Sequence, residues 1–266
     1  MKKLAVIGKD VSKSLSPQMH KFIAEHIGNQ LEYESISIAE AEFENVAKNL
    51  FEEYDGFNVT IPYKLSIMPY LNTIDGDAKV FGAVNTVRVG DMSGHNTDGM
   101  GFMLMLKNNG IEVGGKEVLL LGAGGAGRSV AKKLADDGAH VFVYDTGYET
   151  AKNLENEFKG VTAIEKVECK PYYAIINATG IGMHKTEGIS PVGRDIISGC
   201  EVAIDLIYAP EKSEFLSIAE SMGKMIINGE AMLFYQAYYS QCIYFEISAD
   251  EAQAKDLFNK FTEEVK

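Results

Sequence analysis

Short apolar runs alternate with amphipathic stretches along most of the chain. Leu4 to Gly8 is an apolar run that ends in glycine, which predicts a strand entering a loop. Pro17 to Ile27 then places Met19, Phe22, Ile23 and Ile27 at helical spacing. Pro17 suits a first turn, where its missing N–H leaves no bond unmade, and Ser16 before it is a candidate N-cap. Leu31 to Ile38 alternates as a strand does, Glu40 to Leu50 has helical spacing, and Gly56 to Thr60 is a short strand. Ala83 to Val89 predicts another strand and Gly90 to Ser93 a turn. Thr97 to Asn109 predicts a helix with Phe102, Leu104, Met105 and Leu106 on its apolar side.

A second alternation begins at Lys116. Val118 to Leu121 is a strand, Gly122 to Gly127 a glycine-rich turn, and Arg128 to Asp137 a helix. His140 to Tyr144 and Thr150 to Phe158 repeat the pattern. Ala174 to Asn177, Val202 to Asp205 and Lys224 to Ile227 are later strands, and Ala231 to Phe245 and Asp250 to Val265 are closing helices. Strand–helix alternation of this kind implies mostly parallel sheets. The expectation is an α/β protein of two lobes with a cleft between them, divided near residues 100–115.

Composition narrows the function. The chain has 266 residues, 46% apolar and 24% charged, which are ordinary globular values. Its formal charge of −13 repels phosphate backbones and speaks against general nucleic-acid binding. Only Arg88, Arg128 and Arg194 are available for an arginine clamp. Cys169, Cys200 and Cys242 form no CxxC pair, and the five histidines show no ligand spacing, so neither a disulfide framework nor a metal site is expected. No leader sequence and no membrane-length apolar run is legible, so the expected setting is cytoplasmic and away from membranes.

The glycine-rich turn is the clearest local motif. Gly122, Gly124 and Gly127 make a GxGxxG pattern that follows an apolar strand and opens a helix. There glycines let the backbone approach a pyrophosphate, and the helix N-terminus offers free N–H groups. Asp145 ends the next strand, 21 residues after Gly124, where a carboxylate accepts hydrogen bonds from adenosine ribose hydroxyls and repels a 2′-phosphate. The cofactor expected is therefore NAD or NADP, with NAD favoured by Asp145. The competing reading of Asp145 is a turn cap.

Polar clusters in the first lobe sit at the ends of predicted strands: Ser12 to Pro17, Asn58 to Lys64, Ala83 to Thr86 and Asn96 to Gly99. Taken singly, Ser16 and Asp98 read as caps, Lys64 as a surface charge and Asn85 as a core amide in a strand. Together with later segments they form a series: SLSPQMH at 14–20, NVTIPYK at 58–64, AVNT at 83–86, NTDGMGF at 96–102, GAGGAG at 122–127, NATGIGM at 177–183, DLIYAP at 205–210 and NGEAMLFYQA at 228–237. This series resembles the shikimate dehydrogenases over nearly the whole chain.

The resemblance implies a substrate-binding α/β domain at 1–102, completed by C-terminal helices at 237–266, and a Rossmann-type dinucleotide-binding domain at 103–236. It implies reversible reduction of 3-dehydroshikimate to shikimate by a nicotinamide cofactor, without metal. Lys64 and Asp98 match the catalytic pair. Ser14 and Ser16 match carboxylate-binding hydroxyls, Thr60, Asn85 and Gln236 match residues gripping the ring hydroxyls, Tyr208 faces the substrate, and Asn58 supports the pocket. Gly122, Gly124, Gly125, Ala126 and Gly127 match the phosphate-binding turn, and Thr179, Met183 and Gly229 surround the nicotinamide and its ribose. A lysine ammonium can protonate a developing alkoxide, and a neighbouring carboxylate can orient it.

One departure stands out. Asp145 occupies the place where NADP-specific members carry arginine, and an acidic residue there resembles NAD-using quinate/shikimate dehydrogenases. Quinate is thus an alternative substrate, an aminoshikimate a further one, and a non-catalytic shikimate-binding regulatory module the alternative of another class. The partners expected are small molecules, in a monomer or a homodimer.

Overall fold

The structure, a computed structural model, describes residues 1–265. The chain divides into two compact units. One comprises Met1–Gly101 together with the chain from Phe234 onward, the other Phe102–Leu233.

In the first unit the strands are β1 (Lys2–Gly8), β2 (Leu31–Ser37), β3 (Gly56–Val59), β4 (Thr73–Ile74), β5 (Thr86–Arg88) and β6 (Ser93–His95). They form one sheet in the order β2-β1-β3-β5-β6-β4. The helices are α1 (Ser16–His26), α2 (Phe43–Glu53) and α3 (Gly76–Phe81), and α4 (Asp98–Asn108) begins here. β1 is apolar from Leu4 to Ile7 because both its faces are covered. Ala5 and Ile7 pack with Phe43, Ala47 and Leu50 of α2, while Leu4 and Val6 pack with Tyr33 and Tyr244. The sheet is mixed. β1 pairs in parallel with β2 and β3, but β3–β5 and β5–β6 are antiparallel. The strand expected over 83–89 shortens to β5, and part of the expected turn is β6, because residues 86–95 form a hairpin.

The second unit is a six-stranded, wholly parallel sheet in the order β12-β11-β10-β7-β8-β9. Its strands are β7 (Glu117–Leu121), β8 (His140–Tyr144), β9 (Val161–Ala163), β10 (Tyr172–Asn177), β11 (Cys200–Asp205) and β12 (Met225–Ile227). Between them run α5 (Gly125–Asp136), α6 (Tyr148–Glu157), α7 (Arg194–Ile197) and α8 (Glu214–Ser221). Leu119, Leu121, Ile175 and Ala203 pack against Phe215, Leu216 and Ala219 of α8. Strand order reverses between β7 and β10, so the loops leaving their C-terminal ends part to opposite sides, which is where open α/β sheets bind ligands.

α9 (Glu230–Phe245) brings the chain back, and α10 (Glu251–Glu264) belongs to the first unit. Phe22 of α1 meets Phe261 of α10 edge-on at 5.3 Å between ring centroids. Asp250 caps α10 by accepting from Ala252 N and Gln253 N. Among the described residues no helix is long and apolar enough to cross a membrane.

Candidate active site

The polar residues of the first unit converge after β3 and β5. β3 ends at Val59, and Thr60 N donates to Ile7 O at 2.9 Å, which holds the following loop against β1. Tyr63 anchors that loop by stacking on Phe43 at 4.3 Å and donating to Ile38 O at 2.6 Å. Lys64 is thereby carried out of the core, with its side chain 18% exposed.

Asp98 is the first residue of α4, and its N–H donates to Asn96 Oδ1 at 3.0 Å. Its Oδ2 accepts from Lys64 Nζ at 2.5 Å and its Oδ1 from Asn85 Nδ2 at 2.8 Å. Asn85 is buried and sits just before β5 rather than within a strand. Its side chain is tied to Thr86 on one side and Thr97 on the other, which bends the chain there. Gln236 of α9 approaches the same amide, with Oε1 3.3 Å from Asn85 Nδ2. Asn58 lies behind this group, accepting from Tyr33 Oη at 2.7 Å and donating to Asn85 O and Ser240 Oγ.

Ser14 and Ser16 form their own hydroxyl pair on the β1–α1 loop, 3.1 Å apart. Ser16 is not the N-cap. Leu15 holds that position, and the Ser14 hydroxyl accepts the Ser16 N–H at 3.2 Å, which Pro17 as second helical residue leaves undisturbed. Thr60 is half-buried beside Gly8, where an added Cβ would come within 2.5 Å of its Cγ2.

The remaining candidates lie in the second unit. α5 starts at Gly125, three residues earlier than expected, so Gly125, Ala126 and Gly127 form its first turn with Gly124 as N-cap. The first helical bond is Arg128 N to Gly124 O, which leaves the three N–H groups before it without a helical acceptor. Gly122 has φ +98°, and a Cβ at Gly127 would stand 2.1 Å from Gly122 O, so neither position tolerates a side chain. Gly124 and Gly125 face open space. This open, donor-lined turn fits a pyrophosphate. Asp145 braces it, with Oδ2 accepting from Ala123 N and Oδ1 from Gly147 N, both at 2.8 Å. Asp145 is therefore a turn brace in this structure, and each oxygen keeps a further lone pair. Lys152, the nearest candidate cation in sequence, is paired with Glu155.

Thr179 and Met183 follow β10. Both the Thr179 N–H and its hydroxyl donate to Asn177 Oδ1. Gly229 follows β12, where a Cβ would lie 2.0 Å from Leu206 O. Tyr208 follows β11 half-buried, and burial raises its phenol pKa.

Two clusters were not singled out from sequence. One is Thr86, Thr97 and Ser240 around Asn85. The other is Asp205, fully buried, which accepts from Asn177 Nδ2, Ile207 N and Ser213 Oγ and so joins the β10 and β11 loops. Burial pushes its carboxyl pKa up. The signal was present, since most of these residues fall inside motifs already noted. Among the described residues no group of three His, Cys, Asp or Glu side chains is placed to hold a metal ion.

Comparison with known proteins agrees with these motifs. A family model described as the shikimate dehydrogenase substrate binding domain matches residues 6–87. The shikimate dehydrogenase (NADP(+)) of Carboxydothermus hydrogenoformans is 37% identical over 243 residues, covering 87% of each chain. The crystal structure of shikimate 5-dehydrogenase from Thermus thermophilus, in complex with NADP(H) and shikimate, superposes with a TM-score of 0.88 at 31% identity, covering 98% of this chain and 99% of that one. Shikimate 5-dehydrogenase from Listeria monocytogenes, in complex with shikimate and NAD, gives 0.81 at 27% identity, covering 97% and 96%. With identity of this level over most of both chains, the protein belongs to the shikimate dehydrogenase family.

Proposed function

We propose that the protein interconverts shikimate and 3-dehydroshikimate with a nicotinamide cofactor, and that Lys64 and Asp98 handle the proton. The observation that carries this reading is the coupling of Lys64 Nζ to Asp98 Oδ2 at 2.5 Å, with the other carboxylate oxygen held by Asn85. An intact, oriented pair of this kind serves turnover; a module that only binds has no need of it.

The glycine-rich turn at 122–127 and the helix N-terminus behind it hold the cofactor pyrophosphate in this reading, with Thr179, Met183 and Gly229 on neighbouring loops. The bound nicotinamide supplies or accepts the hydride. The chain's own work is at the oxygen. On reduction of the ketone, the Lys64 ammonium donates a proton to the developing alkoxide and offsets its charge. Asp98 accepts from the same ammonium and so fixes the direction of its protons. On oxidation of the alcohol, neutral Lys64 takes the hydroxyl proton back. Asn85 and Gln236 present amides to the ring hydroxyls, Ser14 and Ser16 present hydroxyls to the carboxylate, and Thr60, Asn58 and Tyr208 complete the substrate set.

NAD is the proposed preferred cofactor. Asp145 places a carboxylate beside the turn, and the Lys152 ammonium is taken up by Glu155, so a ribose 2′-phosphate meets a negative group with no free cation supplied by Lys152. The curated relatives are NADP(+) enzymes by name, which predicts the opposite preference. Steady-state oxidation of shikimate and quinate, each with NAD and NADP, decides between them. The expected result is shikimate turnover with NAD well above NADP, and loss of turnover by orders of magnitude in a folded Lys64→Ala variant. NADP-only turnover removes the cofactor reading. Absence of turnover in all four combinations, with shikimate still bound, overturns the catalytic reading.

A further inference from the structure

We propose that Thr86 is a positioning residue for this reaction, and that its hydroxyl holds the Asn85 amide in the orientation that fixes Asp98 and Lys64. The inference rests on the reading of Lys64 and Asp98 as the proton-handling pair.

Donor accounting gives the bonds of the Asn85 amide a direction. The Thr97 backbone N–H can only donate, and it lies 2.9 Å from Asn85 Oδ1, so that atom is the carbonyl oxygen of the amide. The Asn85 NH2 group therefore faces the other way. Its two hydrogens go to Asp98 Oδ1 at 2.8 Å and Thr97 Oγ1 at 2.9 Å. Thr86 Oγ1 lies 2.8 Å from Asn85 Oδ1, which can only accept, so the Thr86 proton points at the amide oxygen. Ser240 Oγ lies 2.8 Å from Thr86 Oγ1 and also 2.8 Å from Gln236 O, which can only accept, so the Ser240 proton has a partner within its own helix. Asn58 Nδ2 approaches Thr86 Oγ1 from another side at 3.2 Å.

The Asn85 amide is thus held from both ends. Thr86 donates to its carbonyl, its NH2 donates to Asp98, and Lys64 donates to the far oxygen of Asp98. Bonds linked in this way polarise one another in a low-dielectric interior. Thr86 is fully buried and Asn85 is 3% exposed, so water cannot replace a missing donor.

The test compares Thr86→Val, which keeps the shape and removes the hydroxyl, with Thr86→Ser, which keeps the hydroxyl and removes a methyl. With the wild type turning over shikimate, Thr86→Val should lower kcat/KM for shikimate roughly 5- to 10-fold, through both kcat and KM, with the cofactor KM unchanged. Thr86→Ser should stay within about 2-fold of wild type, because the hydrogen bond persists. A packing role predicts the reverse order, Ser worse than Val, and that order or equal losses overturn the proposal. Solvent exchange of the Asn85 side-chain NH2, assigned in NMR spectra by its loss in Asn85→Ala, reads the orientation without turnover. It should speed up in Thr86→Val and not in Thr86→Ser, and equal exchange overturns the proposal even if the wild type proves inactive, an outcome that would sink the functional reading instead. Should Thr86→Val not fold, Thr86→Ala replaces it, with the same rise in exchange expected and an unchanged rate counting against the proposal.

Discussion

Asp98→Asn tests the site with the least change in shape. In the structure both Asp98 oxygens accept, Oδ2 from the Lys64 ammonium at 2.5 Å and Oδ1 from the Asn85 amide at 2.8 Å. An asparagine has one acceptor and one donor, so either rotamer satisfies one neighbour and turns an NH2 against the other. The lost charge-assisted bond is worth about 1.5–3 kcal/mol, and a buried donor left facing a donor adds about 1–3 kcal/mol. Breaking a buried ion pair from one side costs about 3–5 kcal/mol. Lys64 is 18% exposed, so water recovers part of that, and the lower end applies. Placed on the transition state, about 3 kcal/mol is roughly a 100-fold loss of kcat. The same loss in the resting protein would lower the melting temperature by about 6–12 °C, at about 2–4 °C per kcal/mol for a chain of this size. Steady-state oxidation of shikimate, with the melting curve recorded on the same sample, is the assay. An Asp98→Asn variant that melts like the wild type and keeps more than about a third of its kcat would refute the proton-handling assignment.

Two further perturbations probe the surrounding structure. Gly229→Ala forces a Cβ to within 2.0 Å of Leu206 O, a backbone atom with no rotamer to yield, so overpacking should cost about 1–3 kcal/mol or more and lower the melting temperature. An unchanged melting temperature would mean that the β11 and β12 loops are not in that close approach. His20 stacks on Tyr33 at 4.3 Å and faces Gln241, and burial lowers its pKa from 6.5 to about 3. The unfolded chain therefore binds a proton between those values that the folded chain refuses. Stability contributed by neutral His20 is full above pH 6.5 and is lost as pH falls toward 3, by up to ~1.4 kcal/mol per pH unit. His20→Phe should flatten that part of a denaturation-versus-pH series, and an identical slope in both proteins would refute the burial of a neutral imidazole.

The strand–helix alternation was legible where strands are buried on both faces. β1, β7 and β10 carry continuous apolar runs because each sits inside its sheet with cover on both sides. Several of the shortest strands were not legible. β4 has two residues and β6 and β9 three each, too few for a period to show. α3 carries signals at both ends, with Asp75 accepting from Ala78 N and Gly82 at φ +61° closing it. Its six residues include Asp77 and Lys79 and bury only Ala78 and Phe81, so no apolar stripe announces it. The antiparallel hairpin of β5 and β6 escaped because Asn85 interrupts the run read as one strand.

The site follows the same logic at longer range. Lys64 and Asp98 are 34 residues apart, and Asn85 and Gln236 are 151 apart, so no spacing rule brings them together. Their grouping came from the resemblance, and the geometry supplies its physical content. Motif reading favours side chains that a ligand can touch. It passed over Thr86, whose hydroxyl lies behind Asn85 and donates to its amide oxygen. It also passed over Asp205, which is held by three donors while it ties together the loops after β10 and β11. A buried carboxylate in that position is stabilised only while all three donors stay in place. The local structure of the loops after β10 and β11 and the ionisation of Asp205 are therefore one coupled property, and a change at Asn177 or Ser213 should be felt at Thr179 and Tyr208.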